Sequence, residues 1–160
     1  MKKNILIAYF SHSANTHNIA KLIQAETGGI LHEIMPEKAY PTSYNAMVDQ
    51  AKKEIQAGYK PALKSKIDHI DAYDTIFVGS PNWWSTIAPP IATFLSENDF
   101  DGKTIVPFCT HGGGGQARVL KDIAKLCPNS TVLAGFDIFG DGGSGAKTKV
   151  AAWLYETGIA

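Results

Sequence analysis

Four segments of the chain, NILIAYF (4–10), DTIFVGS (74–80), KTIVPFCT (103–110) and STVLAGFDIF (130–139), are rich in β-branched or aromatic residues and apolar on consecutive positions. A strand with one wet face alternates apolar and polar residues, whereas a strand covered on both faces does not. Such runs therefore predict the strands of a parallel sheet with helices on each side. GILHEIMP (29–36) alternates more and predicts a strand at the sheet edge. Between the runs the apolar residues recur at helical spacing: Ile19, Leu22 and Ile23; Leu120, Ile123, Ala124 and Cys127; Val150, Trp153 and Leu154. NAMVDQAKKEIQAG (45–58) is a more polar helix stopped by Gly58, and PPIATFLSEN (89–98) begins with prolines suited to a first helical turn. The resulting β-α alternation, with right-handed crossovers, predicts a three-layer α/β/α sandwich. At 160 residues and 44% hydrophobic content the chain can bury one sizeable core, and no linker or repeat divides it, so one domain over 1–160 is expected.

Fifteen Lys plus Arg balance fifteen Asp plus Glu. Such a surface has no overall attraction for nucleic acid or for an anionic membrane. Cys109 and Cys127 are too few for a disulfide scaffold and lie in no metal-binding spacing, which points to two reduced, buried thiols. Lys2 and Lys3 precede an apolar run, but Ile5 to Phe10 is too short for a signal peptide and no cleavage site follows. No run approaches the roughly 20 residues that span a bilayer, and a soluble, cytoplasmic protein is expected.

In an open parallel sheet, ligands bind beyond the carboxyl ends of the strands, where the strand order reverses. Three loops at such ends stand out. SHSANT follows the first run with Ser11, Ser13, Asn15 and Thr16 as hydroxyl and amide donors, and a helix opening near Asn15 adds free N–H groups and its positive dipole end. This is a phosphate cradle without Lys or Arg; the plainer alternative is an ordinary helix cap. SPNWWSTIAPP puts adjacent Trp83 and Trp84 in a loop, where an exposed indole gains by stacking on a planar ligand, or else packs on a helix. THGGGGQ lets backbone approach a ligand without a Cβ in the way.

Two nucleotide-binding patterns fail on inspection. Gly112, Gly114 and Ala117, with Asp137 downstream, fit a loose dinucleotide fingerprint, but any four-glycine run does, and that fingerprint belongs after the first strand. GDGGSGAKT (140–148) imitates a P-loop, yet Ala146 separates Gly145 from Lys147 and turns that lysine by roughly 100° around a helix.

Taken together, the three loops resemble those of the flavodoxins. YFSHSANT (9–16) is similar to the first flavodoxin loop, with Ala14 where glycine is usual; GSPNWW (79–84) and FCTHGG (108–113) match the second and third. The resemblance covers nearly the whole chain in its short form. It implies a five-stranded parallel sheet in the order 2-1-3-4-5 and one non-covalent FMN at the reversal between strands one and three. By that likeness Ser11, His12, Ser13, Ala14, Asn15 and Thr16 surround the phosphate. Pro81, Asn82, Trp83 and Trp84 line the ribityl chain and ring, and Thr110, His111, Gly112 and Gly113 close the other side. If position 14 needs a positive φ, Ala14 is strained there.

The flavin would supply the redox chemistry, tuned by its surroundings. With zero net charge, and with His12 and His111 in the cofactor loops, a less negative and pH-dependent potential is expected than in acidic carriers. Two functions follow. One is an electron carrier docking on redox partner proteins; the other is an NAD(P)H-dependent oxidoreductase passing electrons to a quinone or similar small-molecule acceptor. The absence of a charged docking patch weighs against the carrier. The absence of Lys or Arg in the loops weighs against an NADP grip, although Lys60, Lys64 or Arg118 could approach. The carrier is favoured, as a monomer or homodimer. In segment 37–67, the least explained, Tyr40, Tyr44 and Tyr59 either fold against the cofactor face or pack the second helix.

Overall fold

The computed structural model describes residues 4–64 and 66–159; Lys2 and Lys3, and Ser65 within segment 37–67, lie outside the described residues. Parallel strands β1 (Ile5–Tyr9), β2 (Ile30–Glu33), β3 (Thr75–Pro81), β4 (Thr104–His111) and β5 (Thr131–Val132) lie in the order β2-β1-β3-β4-β5, and β6 (Phe136–Phe139) also pairs with β4. The helices are α1 (Asn15–Thr27), α2 (Tyr44–Ala57), α3 (Pro89–Glu97), α4 (Val119–Lys125) and α5 (Ala146–Thr157). This is the flavodoxin-like arrangement, and the alternating strand at 29–36 does sit at an edge as β2.

Two cores explain why the inner strands are apolar on consecutive positions. Ile5, Ile7, Tyr9, Phe77, Val106 and Phe108 face α1 and α5, where Ile19, Ile23, Val150 and Leu154 meet them. Leu6, Ala8, Phe10, Ile76, Val78 and Ile105 face the other way, onto Met47 and Ala51 of α2, Ile91 and Phe94 of α3, and Val119 and Ile123 of α4. Each inner strand, β1, β3 and β4, therefore removes both its faces from water.

The structure departs from expectation in the last strand, read from the sequence as one run over 130–139. It is broken in two. Ile105 pairs with Val132 and Phe108 with Phe136, so three steps along β4 face four along its neighbour. The carbonyl of Ile105 accepts the N–H of Leu133, which places Pro107, two residues on, against the same neighbour. Proline has no N–H to give a ladder, and the partner bulges there. Gly135 lies so close that a Cβ would sit 2.9 Å from the carbonyl oxygen of Pro107. Beyond the break, β6 resumes pairing as far as His111 and carries Phe139 to the same sheet end as the three loops.

The imitation P-loop at 140–148 forms a short 3-10 turn, Gly143–Gly145, running into α5, with Lys147 exposed on the helix. No helix of the described residues is long and apolar enough to cross a membrane.

Candidate cofactor site

The first loop reverses direction at Ala14, whose φ is 69° and ψ −5°. The position does take the left-handed conformation that glycine adopts without cost, and an alanine there is strained by roughly 1–2 kcal/mol. The turn points the start of α1 at the sheet end. Ala14 caps α1 through its carbonyl, which accepts the N–H of Asn18 at 2.9 Å, and the Ser11 hydroxyl accepts the N–H of His17 at 3.2 Å. The N–H groups of Asn15 and Thr16 have no acceptor among the described residues and remain available to an anion. Thr16 is buried, its hydroxyl 2.8 Å from that of Thr110, which ties the first loop to the third. His12 donates from Nε2 to the Pro41 carbonyl at 2.8 Å and thereby holds the loop against the approach to α2.

The second loop is closed at its base by buried Ser80, whose hydroxyl donates to the Pro81 carbonyl at 2.8 Å and accepts the Ala88 N–H at 3.0 Å. Gly79, one residue earlier, lies against β4 so closely that a Cβ would fall 2.2 Å from the Phe108 ring. Asn82 organises the rest. Its N–H reaches the Thr110 carbonyl at 2.8 Å, its side-chain amide donates to the Gly115 carbonyl at 2.9 Å, and its side-chain oxygen accepts the Ser85 N–H at 2.9 Å. Trp83 and Thr86 exchange two main-chain hydrogen bonds across Trp84 and Ser85, both with positive φ (55° and 70°). That is a type I′ turn built without glycine.

The indoles are less free than the sequence implied. Trp83 is only 8% exposed and packs edge-on between Phe10 and Tyr40, with ring centroids at 5.2 and 4.9 Å. Trp84 lies over α2, donating from Nε1 to the Val48 carbonyl at 3.0 Å, with the Lys52 ammonium 5.1 Å from its ring centre. Turn strain and these contacts together make the Trp84 wall a fixed feature.

In the third loop His111 uses both ring nitrogens: Nδ1 accepts the N–H of Gly113 at 3.1 Å, and Nε2 faces the Asp137 carboxylate at 3.4 Å. Cys109, just beneath, is buried beside Asp137, and burial followed by that negative charge pushes its thiol up to about 12. It stays a neutral, inert thiol.

These loops enclose one cavity of about 580 Å³. Of the residues singled out from the sequence, His12, Ser13, Asn15, Thr16, Pro81, Asn82, Trp83, Trp84, Thr110, His111 and Gly112 line it. Ser11, Ala14 and Gly113 do not; they shape the loops from behind, by the hydrogen bonds and the turn just described. Sequence reasoning missed Met47, Val48 and Ala51 of α2, Phe139 at the end of β6 and Gly140 just after it; Tyr44, left open between the cofactor face and helix packing, lies in the lining. Phe139 was within reach of the strand-end rule had it been applied to the fifth strand. Helix α2 gave no local signal, since only Trp84 brings it to the site. Tyr40 of segment 37–67 packs into the core and donates to Glu54 at 2.6 Å, whereas Tyr59 lines a separate groove with Lys60. None of Lys60, Lys64 and Arg118 reaches the cavity.

The lining contains no Lys, Arg, Asp or Glu. The lining combines neutral donors and a helix N-terminus with Met47, Val48, Trp83, Trp84 and the exposed rings of Tyr44 and Phe139. Such a lining suits a ligand with an anionic tail and a flat apolar head, and an FMN-shaped molecule has both.

The flavodoxin family matches residues 4–157. A candidate flavoprotein from Bacteroides eggerthii DSM 20697 is 29% identical, with 99% of each chain covered and a TM-score of 0.85. One from Bacteroides uniformis ATCC 8492 is 30% identical over 97% of this chain and 99% of its own, also at 0.85. The flavoprotein of Lactobacillus acidophilus NCFM, in complex with FMN, is 24% identical over 94% of this chain and 98% of its own, at 0.75. No curated protein sequence matches. With a family match running from the first strand through the last helix, and the 2-1-3-4-5 sheet to go with it, the chain belongs to the flavodoxin family.

Proposed function

We propose that this protein holds FMN in the cavity and serves as an electron-transfer flavoprotein. The observation that carries the reading is the pairing of a neutral anion cradle at the start of α1 with an aromatic wall, inside one cavity at the carboxyl end of the sheet. A relative of the same fold is described in complex with FMN, in keeping with it. When bound, FMN supplies reversible one- and two-electron transfer. The chain's own residues do the rest: the N–H groups of Asn15 and Thr16 and the Ser13 and Thr16 side chains take the phosphate, while Trp84, Phe139 and Tyr44 bracket the ring and shield it from water.

Titrating apo-protein into FMN tests this directly, with flavin fluorescence as readout. Strong quenching at one-to-one stoichiometry is expected. Absence of binding overturns the reading.

A second reading, an NAD(P)H-dependent oxidoreductase, is favoured by one observation. Tyr44, Phe139 and Trp84 are 73%, 66% and 46% exposed, so the mouth of the cavity is an open aromatic rim able to receive a second planar molecule. The lack of any lysine or arginine in the lining leaves the phosphates of a dinucleotide without a grip, and the carrier stands first. Anaerobic addition of NADH or NADPH separates the two. A carrier keeps its visible flavin absorbance until a reductase protein is added, and an oxidoreductase loses it at once.

A further inference from the structure

The loop from Phe10 to Ala14 holds a left-handed alanine at its tip. The strand before it and the helix after it meet. Tyr9, the last residue of β1, is 2% exposed, and its hydroxyl lies 2.6 Å from Nδ1 of His17, in the first turn of α1. Burial and the nearby Glu33 push the Tyr9 hydroxyl up to about 12, so it keeps its proton. With one proton to give, the shorter contact is to His17, and Glu33 Oε1 at 3.5 Å is the weaker second acceptor. The main-chain N–H of the same His17 donates to the Ser11 hydroxyl inside the loop. One residue thus receives a tie from the strand before the loop and gives a tie to the loop itself.

Neither Tyr9 nor His17 lines the cavity, and Tyr9 packs into the core between the sheet and α1. We propose that Tyr9 and His17 form a clamp that closes the base of the first loop and pre-organises it for the phosphate of the cofactor. They are positioning residues that touch no ligand. The inference rests on the reading of that loop as the phosphate cradle. Its physical basis is that a donor array fixed before binding loses no freedom when the anion arrives. Without the clamp, the strain at Ala14 is free to relax by opening the loop, and the N–H groups of Asn15 and Thr16 diverge.

The test compares FMN with riboflavin, which has the same ring and ribityl chain and no phosphate. Dissociation constants for both are measured by fluorescence quenching on the wild type, Tyr9→Phe, His17→Ala and the double variant. Removing one hydrogen bond behind the loop will weaken FMN about three- to tenfold and leave riboflavin within about twofold. The double variant will lose no more than either single one, since the two residues act through one bond. His17→Asn, which keeps a side-chain acceptor, will recover part of the loss.

Equal weakening of both ligands would mean a general loss of structure and overturn the clamp, as would an unchanged ratio or additive losses. A wild type that binds riboflavin as tightly as FMN would instead remove the phosphate cradle itself, and the clamp with it.

Discussion

The main-chain N–H of Gly113 donates to Nδ1 of His111 at 3.1 Å, and this short bridge sets the path of the glycine loop over the cavity. Nδ1 must be unprotonated to accept, and Nε2 then carries the hydrogen facing Asp137. His111→Phe will release the loop and weaken FMN by about 0.5–1.5 kcal/mol, the range of one hydrogen bond. His111→Asn will lose less, because an asparagine oxygen can accept from the N–H two residues on. The two dissociation constants, measured side by side, decide the matter; equal losses would assign the effect to the ring and not to the bridge.

Ala14 sits at φ 69° where a residue without Cβ is unstrained. Ala14→Gly relieves roughly 1–2 kcal/mol of strain and gives back about 0.4–1 kcal/mol through the freer unfolded chain. The variant will gain between zero and about 1.6 kcal/mol in urea denaturation of the apo-protein. A loss of stability would show that the surrounding contacts favour the methyl group.

Phe139 is 66% exposed at the cavity mouth, so its loss leaves little hole in the core. Phe139→Ala will raise the residual fluorescence of bound flavin and weaken FMN by about 0.5–1.5 kcal/mol, the worth of an aromatic pair beyond area burial. The melting temperature of the apo-protein will hardly change. Unaltered quenching would place the ring elsewhere in the cavity.

His32, in edge strand β2, has a buried Nε2 with no hydrogen-bond partner among the described residues, and burial holds its pKa below the ordinary 6.5. The folded state therefore favours the neutral ring, while the unfolded chain takes up a proton first as pH falls. The stability linked to His32 is complete above about pH 6.5 and is lost as pH drops from there toward the lower folded value. His32→Leu will flatten this limb in denaturation curves recorded between neutral and mildly acid pH. An unchanged slope would assign the limb to other groups.

Several elements were legible because their signals are local. Consecutive apolar residues in β1, β3 and β4 marked strands covered on both faces, and Gly58 and the Pro89-Pro90 pair marked helix ends where they occur. The donors of the first loop could be named because helix starts and strand ends follow fixed geometry. The break between β5 and β6 was not legible. It arises from Pro107 on the neighbouring strand, some 25 residues earlier in the chain.

The sequence by itself determined the layer order of this protein, the family whose loops it carries and the chemical character of the three loop tips, since each follows from periodicity and residue type within a few positions. Only the tertiary structure decided which of those residues face the cavity. Trp83 turned inward onto Phe10 and Tyr40, and Trp84 drew α2 over the site through Val48. Ser11 and Tyr9 came to meet at His17. Side-chain direction across a loop depends on partners far away in the chain, and no local pattern encodes where those partners will be.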